Sequence, residues 1–180
     1  GVQATAMSGA GISAPYAYKG GSYPGTGGTC GATLNAAATC TIVVNYNPST
    51  IATHNSTIQI SYTDGLTGQT SNRAVTGTAV APAALTISDG ATYDFGTLAT
   101  GATLDKTFTI TNTGTFAASS MNGGNLSAPF TFKGGSYPGT GGTCSATLNG
   151  SGTTCTVVVT YAPSSTGTQT GTMQITYSNG

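Results

Sequence analysis

The chain carries a long internal repeat, which constrains its fold more than any other feature. The residues Lys-Gly-Gly-Ser-Tyr-Pro-Gly-Thr-Gly-Gly-Thr-Cys occupy positions 19–30 and return letter for letter at positions 133–144. Around them, residues 13–35 match residues 127–149 at 19 of 23 positions, with an offset of 114. A repeat of this length is typical of a tandem array of similar structural units.

The composition predicts a surface that is polar but almost uncharged. Lys, Arg, Asp and Glu make up 4% of the 180 residues, against roughly 25% in an average globular protein. The net charge is zero, so the basic patch of a nucleic-acid binder is missing. With 37 Thr and 28 Gly, the chain must owe its solubility to hydroxyl and amide groups. We therefore expect folding to depend weakly on salt.

Apolar and polar residues alternate along much of the chain, and no helical pattern with a period of 3.6 residues is present. The alternation covers residues 42–46 and 58–62 in the first copy and residues 157–161 and 173–177 in the second. Residues 108–110 follow the same pattern between the copies. A period of two is typical of half-buried antiparallel strands. Several short strands at this spacing predict an all-β sandwich.

Each copy contains two cysteines, Cys30 and Cys40 in the first and Cys144 and Cys155 in the second. Pairing within each copy is the economical interpretation, because a hairpin loop tolerates the one extra residue in the second spacing. A disulfide that closes a loop of about 10 residues contributes roughly 2.5–3 kcal/mol. Zinc binding is the alternative, but it needs shorter Cys spacing or added histidines, and His54 has no counterpart in the second copy. We therefore predict two structural disulfides, with no metal and no cofactor.

Paired cysteines also indicate an oxidising compartment. The chain shows neither an initiator Met nor a signal peptide, and no run approaches the roughly 20 apolar residues of a membrane span. We expect a mature or excised piece of an exported bacterial protein, located outside the cell or on its surface, with no membrane span in this segment.

No motif brings together the residues that catalysis needs. A Ser-His-Asp triad would require His54, whose position in the second copy is occupied by Gln169. Glycoside hydrolysis requires two facing carboxylates, and the chain has four scattered Asp and no Glu. Asp89 and Asp94 alone would be a poor calcium site, because calcium gathers several carboxylates. We expect that the protein is not an enzyme.

Tyr23 and Tyr137 lie at matching positions in the Gly-rich loops and are the candidate contact residues. Exposed tyrosines are good recognition groups, so a binding role for these loops is one interpretation. The alternative is that each ring packs over its own disulfide, which would make the loop a structural element.

A set of motifs is shared with a known family. The motifs are Tyr93-Asp-Phe-Gly96, Phe108-Thr-Ile-Thr-Asn-Thr-Gly114, Cys144…Cys155-Thr-Val-Val-Val-Thr-Tyr-Ala-Pro163 and Val75-Thr-Gly-Thr78. With them the chain resembles the immunoglobulin-like repeats of bacterial choice-of-anchor D proteins, distant relatives of ASH/Hydin-type domains. The resemblance implies tandem immunoglobulin-like β-sandwiches, export, and a role in large surface proteins, with no catalytic residues to carry over. Fold analogy alone does not establish function.

The repeat predicts two domains, residues 1–82 and residues 83–180, each with one intradomain disulfide. The first lacks counterparts of residues 84–114, its opening strands, and the second lacks a counterpart of the closing strand at residues 72–80. Strands left open in this way accept an added strand from another chain. We therefore expect either a window cut from a longer array or a subunit completed head to tail by its neighbours.

Together these features favour a structural protein, namely the repeat region of an extracellular filament, stalk or adhesin. The alternative function is a carbohydrate-binding module of an exported protein, which should expose an aromatic platform in one copy only. The loop aromatics are duplicated, which favours the structural role. The expected partners are neighbouring repeats or subunits of the same protein, with surface glycans or another cell as further candidates and nucleic acid excluded.

Overall fold

A computed structural model describes residues 1–180, and it is all-β, with 41% of the residues in strands and no helix. The strands are β1 (Thr5–Ala10), β2 (Tyr16–Tyr18), β3 (Val44–Tyr46), β4 (Thr53–Thr63), β5 (Gly68–Thr78), β6 (Leu85–Ile87), β7 (Leu104–Asn112), β8 (Ser119–Gly124), β9 (Phe130–Phe132), β10 (Thr153–Tyr161) and β11 (Gln174–Ser178).

The chain divides into two compact units, Gly1–Val80 and Ala81–Gly180. The first unit contains a sheet of order β1-β4-β5 and the separate pair β2-β3, and all of its pairings are antiparallel. The second contains a sheet of order β6-β7-β10-β9 and the pair β11-β8, also antiparallel throughout. Ala81 and Ala83 are held by the second unit: the Ala81 carbonyl oxygen accepts a hydrogen bond from the Phe116 N–H at 2.9 Å, and Ala83 is 4% exposed.

Four strands of the first unit correspond through the repeat to four strands of the second. β1 and β2 match β8 and β9, and β3 and β4 match β10 and β11. The remaining strands occur once. The hairpin partner of β4, β5, is found in the first unit, and β6 and β7 are found in the second.

The buried core of the second unit includes the alternating strand residues that the sequence identifies. Phe108, Ile110, Val157 and Val159 are 8%, 0%, 0% and 2% exposed, so their inward orientation is confirmed. Met121 from the β11-β8 pair joins the same cluster, so the two sheets of the unit share one core. Apolar surface of this kind, removed from water, is the main stabilising contribution to such a domain.

The first unit has a smaller buried set. Tyr16 and Tyr18 on β2, Cys30, and Ile58 on β4 are each below 9% exposed. Ile42, at a position equivalent to the fully buried Val157, is only half-buried. Equivalent strand residues are therefore less completely buried in the first unit than in the second, although the two sequences agree along these strands.

Candidate functional site

The repeated loop has the same structure in both units. The Lys19 N–H donates to the Val43 carbonyl oxygen at 2.9 Å, and the Lys133 N–H donates to the Val158 carbonyl oxygen, also at 2.9 Å. Disulfides join Cys30 to Cys40 and Cys144 to Cys155, each with a Cα–Cα distance of 4.8 Å. Beside each bond, two threonine hydroxyl oxygens lie 3.1 Å apart, in the pairs Thr29–Thr41 and Thr143–Thr156.

The rings of the candidate contact residues Tyr23 and Tyr137 pack into their own units. The Tyr23 ring meets Tyr18 edge-on at 5.7 Å between centroids, and the Tyr137 ring meets Phe132 in the same way at 5.8 Å. Both hydroxyl oxygens are buried without a hydrogen-bond partner, and burial raises the pKa of both tyrosines. A ligand therefore has no access to these hydroxyls in this conformation, although both residues are only half-buried, and the contact role of the two loops stays a prediction.

Room for these rings comes from two glycines, Gly9 on β1 and Gly123 on β8, in the other sheet of each unit. A Cβ atom added to Gly9 would approach Tyr18 and Tyr23 more closely than 3.0 Å, and one added to Gly123 would do the same to Phe132 and Tyr137. The sequence shows these glycines but gives no reason for them, because the contact joins residues that are distant along the chain. The loop is therefore built as a packed structural element in both copies.

His54, the single histidine, sits among hydroxyl groups. Its Nδ1 lies 2.9 Å from the Tyr46 hydroxyl oxygen, and its Nε2 lies 3.0 Å from the Thr50 hydroxyl oxygen. Nowhere in the structure do three His, Cys, Asp or Glu side chains come together in a way that could hold a metal ion. Asp89 and Asp94 are engaged separately, the first with Lys106 and the second with the Gly96 N–H at 2.7 Å.

Both salt bridges of the structure lie in the second unit. Lys133 Nζ is 2.8 Å from an Asp105 carboxylate oxygen, and the Thr160 hydroxyl donates to the same carboxylate at 2.6 Å. Lys106 Nζ is 3.0 Å from Asp89. Lys19, the counterpart of Lys133, is exposed and forms no salt bridge.

The second unit also has a groove of about 320 Å³ with an aromatic lining that includes Tyr93, Phe95, Phe108 and Phe130. The Tyr93 ring is 36% exposed, and Lys106 Nζ lies 4.4 Å from its centroid. One ring face is thus occupied by the ammonium group. This groove was not identified from the sequence, because its aromatic residues come from separate segments of the chain.

Acid should begin to destabilise the protein only when the pH falls to about the value at which aspartates of the unfolded chain titrate. Hydrogen bonds from Lys133 and Thr160 hold the pKa of Asp105 below its usual range, and those from Ser88 and Lys106 do the same for Asp89. A lowered folded-state pKa means that the stabilisation is complete above the unfolded pKa of about 3.9 and is lost as pH falls through the folded value. We therefore expect a flat melting temperature from pH 7 to about 5 and a fall below about pH 4.

Melting followed by circular dichroism across this pH range checks the prediction, with Asp105→Asn as the comparison. The variant should show a smaller fall at acid pH, because its amide does not titrate. A melting temperature that already drops between pH 7 and pH 5 would contradict this account, since no aspartate with a lowered pKa changes its charge there.

No protein-family model matches the chain, and no curated protein matches it in sequence. The structure has no helix with the length and apolar character that a membrane crossing requires. The two disulfides suggest an oxidising, extracellular environment.

Proposed function

We propose that the chain is a structural repeat region of a bacterial extracellular fibre, stalk or adhesin, without enzymatic activity. The observation that carries the proposal is the repeated loop, whose backbone contacts, disulfide and inward tyrosine agree in both units. Repeating a packed loop that is closed by a disulfide is typical of a protein built from several copies of one structural unit. In a protein specialised for one ligand, the loops would be free to diverge.

The fold that we propose for each unit is an immunoglobulin-like β-sandwich with its own disulfide. Two antiparallel sheets over a shared core in the second unit support this assignment. The resemblance to choice-of-anchor D and ASH/Hydin-type repeats is consistent with it. Completion of the sandwiches by strands from neighbouring repeats or subunits is part of the same proposal.

The surface chemistry supports a position outside the cell. Only eight side chains carry charge, four basic and four acidic, so few interactions weaken when salt or pH changes. The disulfides close loops with separations of 10 and 11 residues, and together they restrict the unfolded chain at two places. Both properties suit a protein that must stay folded without cellular repair.

The test of this role is localisation on intact cells. Antibodies against residues 1–180 should label unpermeabilised cells of the source organism and decorate extended surface material in electron micrographs. Labelling that requires cell lysis would contradict the proposal, and an antibody against a cytoplasmic protein serves as the control for cell integrity.

A carbohydrate-binding module remains the second candidate, because the aromatic groove around Tyr93 occurs in one unit only. A glycan array with the intact chain and with Tyr93→Ala separates the two functions. Binding that is lost in the variant would favour the module, and the absence of binding to any glycan would favour the structural role.

A further inference from the structure

Two matching strands of the chain have different numbers of partners. β10 pairs with β9 on one side and with β7 on the other, where nine residues are in register from Thr153↔Asn112 to Tyr161↔Leu104. β3, its counterpart, pairs with β2 alone. The Val43 N–H and C=O bond to Pro24 and Lys19 on the β2 side. Since successive residues of a strand point their backbone groups to opposite sides, those of Ile42 and Val44 face the unoccupied side.

The apolar side chains along this edge also lack cover. Val157 and Val159 in the second unit are 0% and 2% exposed, whereas Ile42 and Val44 at the matching positions are half-buried. The side chains are of similar size and hydrophobicity, so the strands themselves do not account for the difference. What differs is the presence of β7, whose Phe108 lies directly opposite Val157.

Polar groups along the edge show the same incompleteness. Asp105 on β7 accepts from Lys133 and Thr160, and their counterparts in the first unit are Lys19 and Asn45, with no carboxylate in contact. An Asp delivered at that position would meet an ammonium group that is already in place. The charge of Lys19 is thus complementary to a strand of the β7 type.

A buried asparagine provides a third point of attachment. The Asn112 amide donates to the Leu148 carbonyl oxygen at 3.1 Å, which also accepts from the Ala118 N–H at 2.9 Å. In the first unit the equivalent Leu34 carbonyl oxygen accepts from the Ala4 N–H at 2.9 Å, and no asparagine side chain donates to it. The Leu34 carbonyl oxygen and the open strand edge could therefore both bond to the same incoming segment.

We propose that the open edge of residues 38–46 accepts, as an added antiparallel strand, a segment with the residue pattern of Leu104–Asn112 from a neighbouring repeat. This proposal rests on the proposed function and specifies which edge takes which strand. The register follows from β10: Phe108 would lie opposite Ile42, and Asp105 would lie opposite Asn45, within reach of Lys19. Backbone hydrogen bonds supply the affinity, and the alternating side chains supply the register.

The experiment extends the chain by an added copy of residues 81–114 placed directly before Gly1. Because the repeat offset is 114, Gly1 is the counterpart of Thr115, so this junction reproduces the relation between Gly114 and Thr115. Hydrogen exchange at the Ile42 and Val44 amides is compared in the extended and original chains. We expect exchange to slow on the order of 100-fold in the extended chain, because strand amides exchange only through local or global opening.

Two variants of the added copy serve as controls, and the second is also combined with Lys19→Met. Aspartates at the positions of Phe108 and Ile110 should abolish the protection, since charges would face the core. Asparagine at the position of Asp105 should reduce the protection of the Ile42 and Val44 amides. The same asparagine should cause no further reduction in a chain that carries Lys19→Met, since the carboxylate and the ammonium group act as a pair.

Equal exchange at Ile42 and Val44 in the extended and original chains would overturn the proposal. A dimer of the original chain that protects these amides as concentration rises would also overturn it, since the occupant would then be a second copy. The outcome is independent of cell-surface labelling: protection without labelling sinks the proposed function alone, and labelling without protection sinks the strand addition alone.

Discussion

Replacing Asn112 by alanine is expected to lower the free energy of unfolding of the second unit by about 3 kcal/mol. Asn112 is 0% exposed, and its amide joins four backbone groups. It donates to the carbonyl oxygens of Phe116 and Leu148 and accepts from the N–H groups of Ala84 and Gly114, at 2.9–3.1 Å. Alanine removes all four bonds, and the Gly114 N–H is then left buried without a partner.

Hydrogen exchange at the Val157 and Val159 amides reports the stability of this unit separately from the first. Asn122→Ala is the matched control, because Asn122 is exposed and its side chain only accepts from the adjacent Gly123 N–H, at 3.0 Å. That change should stay within about 0.5 kcal/mol. If the two variants proved equally stable, the network around Asn112 would contribute nothing measurable.

The sequence contains a signal for the buried position of Asn112. The strand residues Phe108 and Ile110 were predicted to face inward, and Asn112 lies two positions further along the same face. A period of two therefore predicts a buried asparagine. Its hydrogen-bond partners could not be predicted from the sequence. Only the Gly114 N–H directly follows β7, and the alternating pattern does not show that the backbone groups of Ala84, Phe116 and Leu148 lie beside this strand.

The all-β fold and the buried strand positions were accessible from the sequence, because alternation is a local property. Strand length was not. β10 spans nine residues and β3 spans three, although both copies read as the same alternating run. A strand is defined by its hydrogen-bonded partners, and β7 lies beside β10, whereas no strand takes that place beside β3. Strand length therefore depends on pairing with distant segments, which the local sequence pattern does not determine.

The orientation of Tyr23 and Tyr137 was also beyond prediction. A Gly-rich loop has no periodicity, so nothing local distinguishes an inward ring from an exposed one. In the structure the choice depends on the space beside Gly9 and Gly123, which are more than ten residues away in sequence. The disulfides were easier, because two matched spacings favour pairing within each copy, and the structure contains these two bonds.

Replacing Gly139 by alanine is expected to destabilise the second unit by about 4 kcal/mol or more. Gly139 has a φ of +90°, which costs an L-residue roughly 1–2 kcal/mol. In addition, an added Cβ would lie closer than 3.0 Å to the Val158 carbonyl oxygen, a backbone atom of the central strand β10. Neither the loop nor the strand can move aside without breaking the bond from Lys133 to Val158.

The substitution Gly141→Ala, in the same loop, separates the cost of backbone strain from the cost of a steric clash. Its φ is +89°, nearly that of Gly139, but an added Cβ would have no atom within 4 Å. Gly141→Ala should therefore cost only the conformational part, about 1–2 kcal/mol, measured by exchange at the Val157 amide. If both variants lowered the free energy of unfolding by similar amounts, the loop would be able to shift away from β10 without a measurable cost.

The first unit offers the same pair of positions for an independent comparison. Gly25 has a φ of +88° and faces the Val43 carbonyl oxygen, and Gly27 has a φ of +88° with open space around it. The difference between Gly25→Ala and Gly27→Ala should be smaller here than in the second unit. Val43 lies directly before β3, which has a partner on one side only, so this segment can shift away from an added methyl group more easily than β10 can. An equal difference in both units would indicate that the loop and its disulfide hold this strand in place without help from β7.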